Sequence, residues 1–320
     1  MTAHKHRVGL VLGAGAARGW SHIGILKALA AEGIRPDIVC GCSIGALVAA
    51  SSVTGHLESL EARARDMTVS RVIRYFDISL RGGGIIEGRW ITDFFRESVE
   101  DIDIASVTPV FGAVATDLAS GRETWLTSGS MIDAVRASIA IPGLLSPVLI
   151  RSRWHVDGAL VNPLPVSLCR ALGADVIIGV SLNGNLMARP SPIAVTPTPP
   201  MAPGELELAD ETASSWTRWF GYGRSTDAGA IQQGPTADNR PGYLEVVSQT
   251  FFIVQDFVSR IRLAADPVDI LIAPDVGELG WLEFHRAAEA IEAGEAAVAE
   301  SLPAIRSFID RDRLQQSEVG

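Results

Sequence analysis

The chain has 320 residues, 47% of them hydrophobic and 20% charged, enough for one large α/β domain or two small ones with a buried core. Its 37 acidic against 27 basic side chains give a net charge of -10, which excludes nucleic-acid binding through basic patches and electrostatic attachment to anionic lipid. Its three cysteines, Cys40, Cys42 and Cys169, give neither an even disulfide framework nor a metal-ligand spacing.

The N-terminal residues Met1 to Arg7 are polar and lack the apolar region of a signal peptide. No stretch approaches the ~20 apolar residues that a membrane helix needs. We therefore expect a soluble cytoplasmic protein, which can reach the inner membrane surface only as a peripheral protein.

The first half of the chain alternates strand-like and helix-like segments. Strands are predicted at Val8–Leu12, Asp37–Gly41, Val110–Ala115, Glu123–Leu126, Pro147–Ile150 and Val176–Val180. Helices are predicted at Trp20–Glu32, Ile44–Val53, Glu87–Val99, Ser130–Ala137 and Pro163–Leu172. Continuous apolar strands alternating with helices indicate a mainly parallel sheet covered on both faces, here over residues 7–182.

The alternation stops near Asn183, and we interpret residues 183–242 as a mobile insert. Six of the 17 prolines lie between Pro190 and Pro203. Further on, Trp216 and Trp219 belong to a run with four aromatic residues in seven positions. Aromatic side chains on such a segment suit a lid or a wedge into lipid, or else they pack on the core.

Regular pattern returns after the insert and continues the same domain to residue 303. It predicts a helix at 243–264, a strand at Val268–Ile272 and a helix at Leu282–Leu302. Residues 304–320 are predicted to form a tail.

A Gly-x-Ser-x-Gly string, Gly41-Cys42-Ser43-Ile44-Gly45, stands between a predicted strand and a buried helix. This is the context of a nucleophile elbow, in which glycines permit a tight turn and the serine lies at a helix N-terminus. The helix dipole and free N–H groups there favour a developing negative charge. Ser43 is therefore the candidate nucleophile.

The glycine-rich turn Gly13–Gly19 stands in the same position after the first strand, where its N–H groups can face an anion. A dinucleotide-binding loop is the competing interpretation. It is weakened by Arg18 at the position where that motif has Gly or Ala, and by a second strand that ends without an acidic residue. An oxyanion loop opposite Ser43 explains both turns.

The candidate bases are one aspartate and two histidines. Asp157 precedes Gly158 and Ala159 in a sequence that by itself is typical of a turn. His155 should share its strand face with Asp157, and His285 completes the order Ser, Asp, His of an α/β-hydrolase triad. From the residues alone these alternatives stay open.

Taken together, these strings resemble the patatin-like phospholipase family, close to its bacterial members related to neuropathy target esterase. The family has a glycine-rich block, a nucleophile elbow and an Asp-Gly-Ala/Gly motif, which resemble in turn Gly13–Gly19, Gly41–Gly45 and Asp157–Ala159 of this chain. Further blocks resemble Ala137–Val148, Asp266–Asp269 and Glu283–Arg286, so the resemblance runs from about residue 7 to residue 302. In the first block Ala14 and Ala16 stand where richer glycine runs occur elsewhere in the family.

The resemblance implies a three-layer α/β/α fold and a dyad in which Asp157 accepts the proton of the Ser43 hydroxyl. It implies hydrolysis of a phospholipid, lysophospholipid or related ester, without metal or cofactor. Gly13, Gly15, Ala16, Arg18 and Gly19 would form the oxyanion loop. The expected partners are a lipid substrate and a transient apolar membrane contact, with no nucleic acid. A catalytically weak regulatory protein on the same fold is the alternative.

Overall fold

The computed structural model describes residues 6–71, 101–182 and 243–318 of the chain. The helix predicted at Glu87–Val99 lies outside the described residues, as does the Pro-rich insert with Trp216 and Trp219.

The described strands form one eight-stranded, mainly parallel sheet, as predicted. They are β1 Val8–Leu12, β2 Ile38–Cys42, β3 Val110–Asp117, β4 Glu123–Leu126, β5 Val148–Ile150, β6 Arg153–Asp157, β7 Val176–Val180 and β8 Ile270–Ile272. The order is β5-β6-β3-β2-β1-β7-β8, and β4 also pairs with β3. The pairs between β3, β2, β1, β7 and β8 are parallel, and those of β4, β5 and β6 are antiparallel.

Helices cover both faces of the sheet. They are α1 Ser21–Ala31, α2 Ile44–Val53, α3 Leu57–Arg65, α4 Met131–Ser138, α5 Val166–Ala171, α6 Tyr243–Ala265 and α7 Ala287–Glu318. Successive residues of β1 enter different apolar clusters: Leu10 packs with α1, α2 and α7, whereas Val11 packs with α5. Because both faces are buried, the strands read as continuous apolar runs. The three-layer α/β/α prediction is confirmed.

Two segments differ from the sequence prediction. Helix α3 was not predicted, because charged residues dominate it and its buried side chains are only Leu60 and Ala64. Helix α7 does not stop before Pro303 but continues to Glu318, so most of the predicted tail is helical. Proline usually ends a helix because it lacks an N–H group. Here Pro303 is exposed, and the fully buried Ile305 in the next turn packs into the core.

The register of β3 places two strand ends against each other. β2 pairs with β3 as far as Cys42 opposite Val114, and β6 pairs with β3 from Asp157 opposite Ala115. β4 pairs with residues 113–116 of β3, so both β2 and β6 must occupy the other edge of that strand. Because β2 is parallel and β6 antiparallel to β3, their carboxyl ends meet. The residues that follow Cys42 and end β6 are therefore neighbours.

Helices α1 and α7 touch through glycines. A Cβ atom at Gly24 would collide with the carbonyl of Ile291, and one at Gly294 would collide with the carbonyl of Ser21. The two backbones are therefore closer than any larger residue permits.

We expect Gly294→Ala to destabilise the protein by about 1–3 kcal/mol, the usual cost of overpacking a filled contact. In an exposed helix the same change stabilises, because alanine is the better helix former. Thermal or urea unfolding measures the difference, with Glu292→Ala on the exposed side of α7 as the control. An increase in stability for Gly294→Ala would show that the helices can separate without loss.

Candidate active site

Ser43 occupies a strained turn between β2 and α2. Its backbone angles, φ 55° and ψ -126°, lie in a region that costs a non-glycine residue about 1–3 kcal/mol. The turn closes so tightly that a Cβ atom at Gly41 would collide with the backbone of Gly45, and one at Gly45 with the carbonyl of Leu12. Both glycines of the predicted elbow are thus required by space.

The Ser43 hydroxyl donates a hydrogen bond directly to the Asp157 carboxylate, with 2.7 Å between Oγ and Oδ2. Asp157 is the last residue of β6, so the meeting of the β2 and β6 ends brings the two side chains together. The other carboxylate oxygen accepts from the Ala159 N–H at 2.8 Å. Gly158 between them lies against Val114, whose carbonyl leaves no room for a Cβ atom.

The environment of Asp157 makes its carboxyl group a much weaker acid than usual. The side chain is fully buried, and burial raises its pKa to about 7, although the Ser43 hydroxyl and the Ala159 N–H favour the ionised form. Among the described residues no cation contacts it to offset the desolvation. A carboxyl group with this pKa can take up and release a proton near neutral pH.

The loop Gly13–Gly19 leaves two N–H groups available beside the elbow. Four others are bonded to carbonyl oxygens, namely those of Gly13, Ala14, Ala17 and Arg18. The N–H groups of Gly15 and Ala16 have no acceptor within residues 6–71, 101–182 and 243–318. The φ angle of Ala16, 47°, is in the left-handed region. At the end of the loop a Cβ atom at Gly19 would collide with Ile44, so this turn and the elbow are in contact.

Comparison with known proteins gives the family. The sequence model described as patatin-like phospholipase matches residues 10–170, half of the chain and the span that holds the elbow, the loop and Asp157. The chain belongs to the patatin-like phospholipase family.

The relatives of this patatin-like chain include proteins of the neuropathy target esterase group. An uncharacterized NTE family protein of Mycobacterium tuberculosis is 32% identical, over 98% of this chain and 95% of its own length. Lysophospholipase NTE1 of Pyricularia oryzae is 28% identical over 93% of this chain and 18% of its own length. Neuropathy target esterase sws of Drosophila melanogaster is 31% identical over 55% of this chain and 13% of its own length.

Arg18 connects the glycine-rich loop of this patatin-like protein to its C-terminal part. Its guanidinium group donates to the carbonyl of Leu279 at 2.7 Å and to that of Gly277 at 3.3 Å. It also lies 4.1 Å from the ring centroid of Trp281, onto which Phe252 of α6 stacks at 4.1 Å. The bonds of Arg18 thus hold the glycine-rich loop against residues 277–281.

Ser138 is a site residue that the sequence does not identify. At the end of α4 its hydroxyl accepts from the Ser43 N–H at 2.9 Å and donates to the carbonyl of Val114 at 2.7 Å. Thr116 plays a similar part, because its hydroxyl donates to the carbonyl of Asp157 at 2.8 Å. Their hydrogen-bond partners at the site lie 95 and 41 residues away along the chain, so no local sequence pattern indicates either role.

The two candidate histidines are not hydrogen-bonded to the Ser43 hydroxyl in the part of the chain that the structure describes. His155 is buried, and its Nδ1 lies 3.0 Å from the carbonyl of Arg153. His285 is in the short 3-10 helix Phe284–Arg286. Within the described residues, no hydrogen bond joins either imidazole to Ser43 or Asp157.

In the described parts of the chain, no helix has both the length and the apolar composition to cross a bilayer.

We expect Ser138→Ala to lower the free energy of unfolding by about 1–3 kcal/mol, because the buried N–H of Ser43 would lose its acceptor. Ser51→Ala is the matched control. Ser51 is also fully buried, but its hydroxyl donates to the Leu47 carbonyl in its own helix and accepts from no N–H group of the described residues. Urea unfolding measures both changes. Equal small losses in the two variants would contradict the positioning role of Ser138.

Proposed function

We propose that this protein is a serine esterase in which Ser43 is the nucleophile and Asp157 the base. The observation that carries the proposal is the 2.7 Å hydrogen bond from the Ser43 hydroxyl to a buried carboxylate whose pKa is raised to about 7. An aspartate with the ordinary pKa near 4 is a weak base at neutral pH, whereas this one suits proton transfer there.

The first half of the reaction forms an acyl-enzyme. Asp157 takes the proton of the Ser43 hydroxyl while the oxygen attacks the carbonyl carbon of the ester. The carbonyl oxygen becomes an oxyanion, which the N–H groups of Gly15 and Ala16 can stabilise. As the tetrahedral intermediate collapses, the bond to the alcohol breaks and Asp157 returns its proton to the leaving oxygen.

The second half releases the acid. Water gives a proton to Asp157, and the oxygen of the water attacks the acyl carbon. The ester bond to Ser43 then breaks, and the Ser43 oxygen recovers the proton from Asp157. All proton transfers use one carboxyl group, so the reaction needs no imidazole in this proposal.

The proposed substrates are carboxylic esters of lipids. Family membership supports a lipid ester hydrolase, and one relative is called a lysophospholipase. We propose a phospholipid or lysophospholipid as substrate, taken from a membrane that the protein contacts on its cytoplasmic side. Because the net charge is -10, this contact must be apolar rather than electrostatic.

We expect Ser43→Ala and Asp157→Asn each to remove nearly all hydrolysis of a short soluble ester. The double variant should be little worse than either single one, because the two residues act as a unit. A fluorophosphonate that labels the wild-type serine should leave Ser43→Ala unlabelled. Steady-state kinetics and mass spectrometry of the labelled protein provide the measurements.

His155→Ala and His285→Ala are the controls and should retain substantial activity. If His285→Ala is as inactive as Ser43→Ala, a triad replaces the proposed dyad. If the wild type neither turns over esters nor reacts with the fluorophosphonate, the regulatory alternative is correct.

The raised pKa of Asp157 predicts opposite effects of pH on activity and stability. The base form is needed for attack, so kcat/KM should rise about tenfold per pH unit below pH ~7 and level off above it. In the unfolded chain the pKa is about 4, so the folded state holds an extra proton between pH ~4 and ~7. The stability from this group is complete below pH ~4 and is lost as the pH rises to ~7.

Two measurements check this pair of effects. One is the pH profile of kcat/KM from pH 5 to 9, and the other is urea unfolding of wild type and Asp157→Asn at pH 5 and 8. The variant cannot titrate at this position, so its stability relative to wild type should be higher at pH 8 than at pH 5. A difference that does not change with pH would show that Asp157 has an ordinary pKa.

A further inference from the structure

The outward face of α6 is apolar wherever the structure describes it. Its large exposed side chains are 41–63% exposed and follow helical spacing: Val246, Ile253, Val254, Phe257 and Ile261. The other exposed residues between 246 and 265 whose side chains are described are Gln249, Thr250, Ala264 and Ala265. Among the described charged side chains of this helix, Arg262 is the most exposed at 39%, and it donates to the Val161 carbonyl and pairs with Glu123. We call this surface the outer face of α6.

Apart from the exposed Gln249 and Thr250, the described polar side chains of α6 are buried or held in ion pairs. Gln255 and Ser259 are buried, with 2% and 6% of their surface exposed. The ionised pair Asp256 and Arg260 is half-buried, with 2.7 Å between its charged atoms. A helix on the surface of a protein in water normally has its polar residues outside and its apolar ones inside. The arrangement in α6 therefore indicates that its outer face meets an apolar partner.

The same helix lines the candidate active site from its other side. Phe251 and Phe252 are buried in a cluster with Ala14 and Ala16 of the glycine-rich loop. That cluster also contains Cys42, which directly precedes Ser43, and Ala159, which lies two residues after Asp157. Whatever binds the outer face of α6 is therefore only one helix diameter, about 10 Å, from the loop of the site.

The size and charge of the outer face distinguish between two partners. From Val246 to Ile261 the helix rises about 22 Å, and at a width of about 10 Å the stripe has roughly 220 Å². A stable dimer buries about 800 Å² on each partner, so a second copy of the chain would need much more surface. A helix that lies in a lipid interface requires only such a stripe, which enters the boundary between headgroups and acyl chains.

We propose that the outer face of α6 adsorbs to the surface of neutral, zwitterionic lipid and holds the active site at that surface. The inference rests on the proposed function, because a lipid ester hydrolase must reach substrate that is packed in a membrane or micelle. Because the described arginines of α6 are paired with acidic side chains and the net charge is -10, adsorption depends on apolar burial and not on anionic lipid.

Binding to phosphatidylcholine vesicles tests the proposal. The variant Ile253→Gln with Phe257→Gln removes the centre of the outer face but keeps good helix formers. In co-sedimentation we expect the vesicle binding of this variant to be weaker by about tenfold or more. Wild-type binding should be nearly unchanged between about 0.1 M and 0.5 M salt, because an apolar contact is not screened by ions.

The matched control is Leu118→Gln with Leu149→Gln, which changes two apolar side chains, one in the turn after β3 and one in β5, that are 54% and 53% exposed. It should bind vesicles within about twofold of wild type, because these residues are not on α6. A second pair, Val254→Gln with Ile261→Gln, repeats the test at other positions should the first variant unfold. Unchanged binding of both helix variants, or equal losses in the control, would overturn the proposal.

Two parallel measurements separate this proposal from its alternatives. Hydrolysis of a short soluble ester should be the same in the helix variants and wild type, since no interface is needed. If wild type binds vesicles through α6 but hydrolyses no ester, the proposed function fails and the lipid contact stands. If wild type is a dimer in solution and the helix variants are monomers, the outer face of α6 is a subunit interface and the proposal is wrong.

Discussion

The candidate site depends on one constraint, the meeting of β2 and β6 on the same edge of β3. On this edge β2 runs parallel to β3 and ends opposite Val114, whereas β6 runs antiparallel to β3 and ends opposite Ala115. The two carboxyl ends therefore come together. Cys42 and Asp157 pair with the consecutive β3 residues Val114 and Ala115, which brings Ser43 and Asp157 into hydrogen-bond contact. A shift of one residue in either pairing would turn the side chains to the opposite face. The contact between Ser43 and Asp157, the proposed dyad, is therefore a property of the sheet register and not of a loop.

This geometry has an energetic cost that the surrounding core must offset. Ser43 has strained backbone angles, and Asp157 is a carboxylate withdrawn from water that, among the residues the structure describes, has two hydrogen-bond donors but no cation. The pKa near 7 is the direct result, since burial disfavours the charged form more than the two donors favour it. The Thr116 hydroxyl donates to the Asp157 carbonyl and the Ser138 hydroxyl accepts from the Ser43 N–H, which holds the backbone at both residues. Two apolar clusters, one on each face of the sheet, provide the stabilisation for these unfavourable groups.

The sequence predicted the parts of this molecule that are local and missed those that join distant segments. Val8–Leu12 and Ile44–Val53 were predicted with their observed bounds, because buried strands and a helix apolar all round have strong patterns. Helix α3 has a charged sequence, and the persistence of α7 past Pro303 depends on the burial of Ile305. The link from Ser138 to Ser43 spans 95 residues and depends on where α4 packs. The local sequence at Asp157 is typical of a turn, and only the family resemblance predicts its role as a base. Strand register, which brings Asp157 to Ser43, cannot be derived from one sequence.

Helix α6 and the dyad interact with the rest of the protein through different kinds of contact. Ser43 and Asp157 are held by hydrogen bonds to neighbouring strands and to α4, whereas α6 reaches the glycine-rich loop through Phe251, Phe252 and the ring of Trp281. The side chains on the outer face of α6 lie on the far side of the helix from these contacts. Changes at sites without shared partners have nearly additive effects. The proposed contact with lipid and the proposed chemistry of ester cleavage can therefore vary independently in this fold, although a single helix borders both.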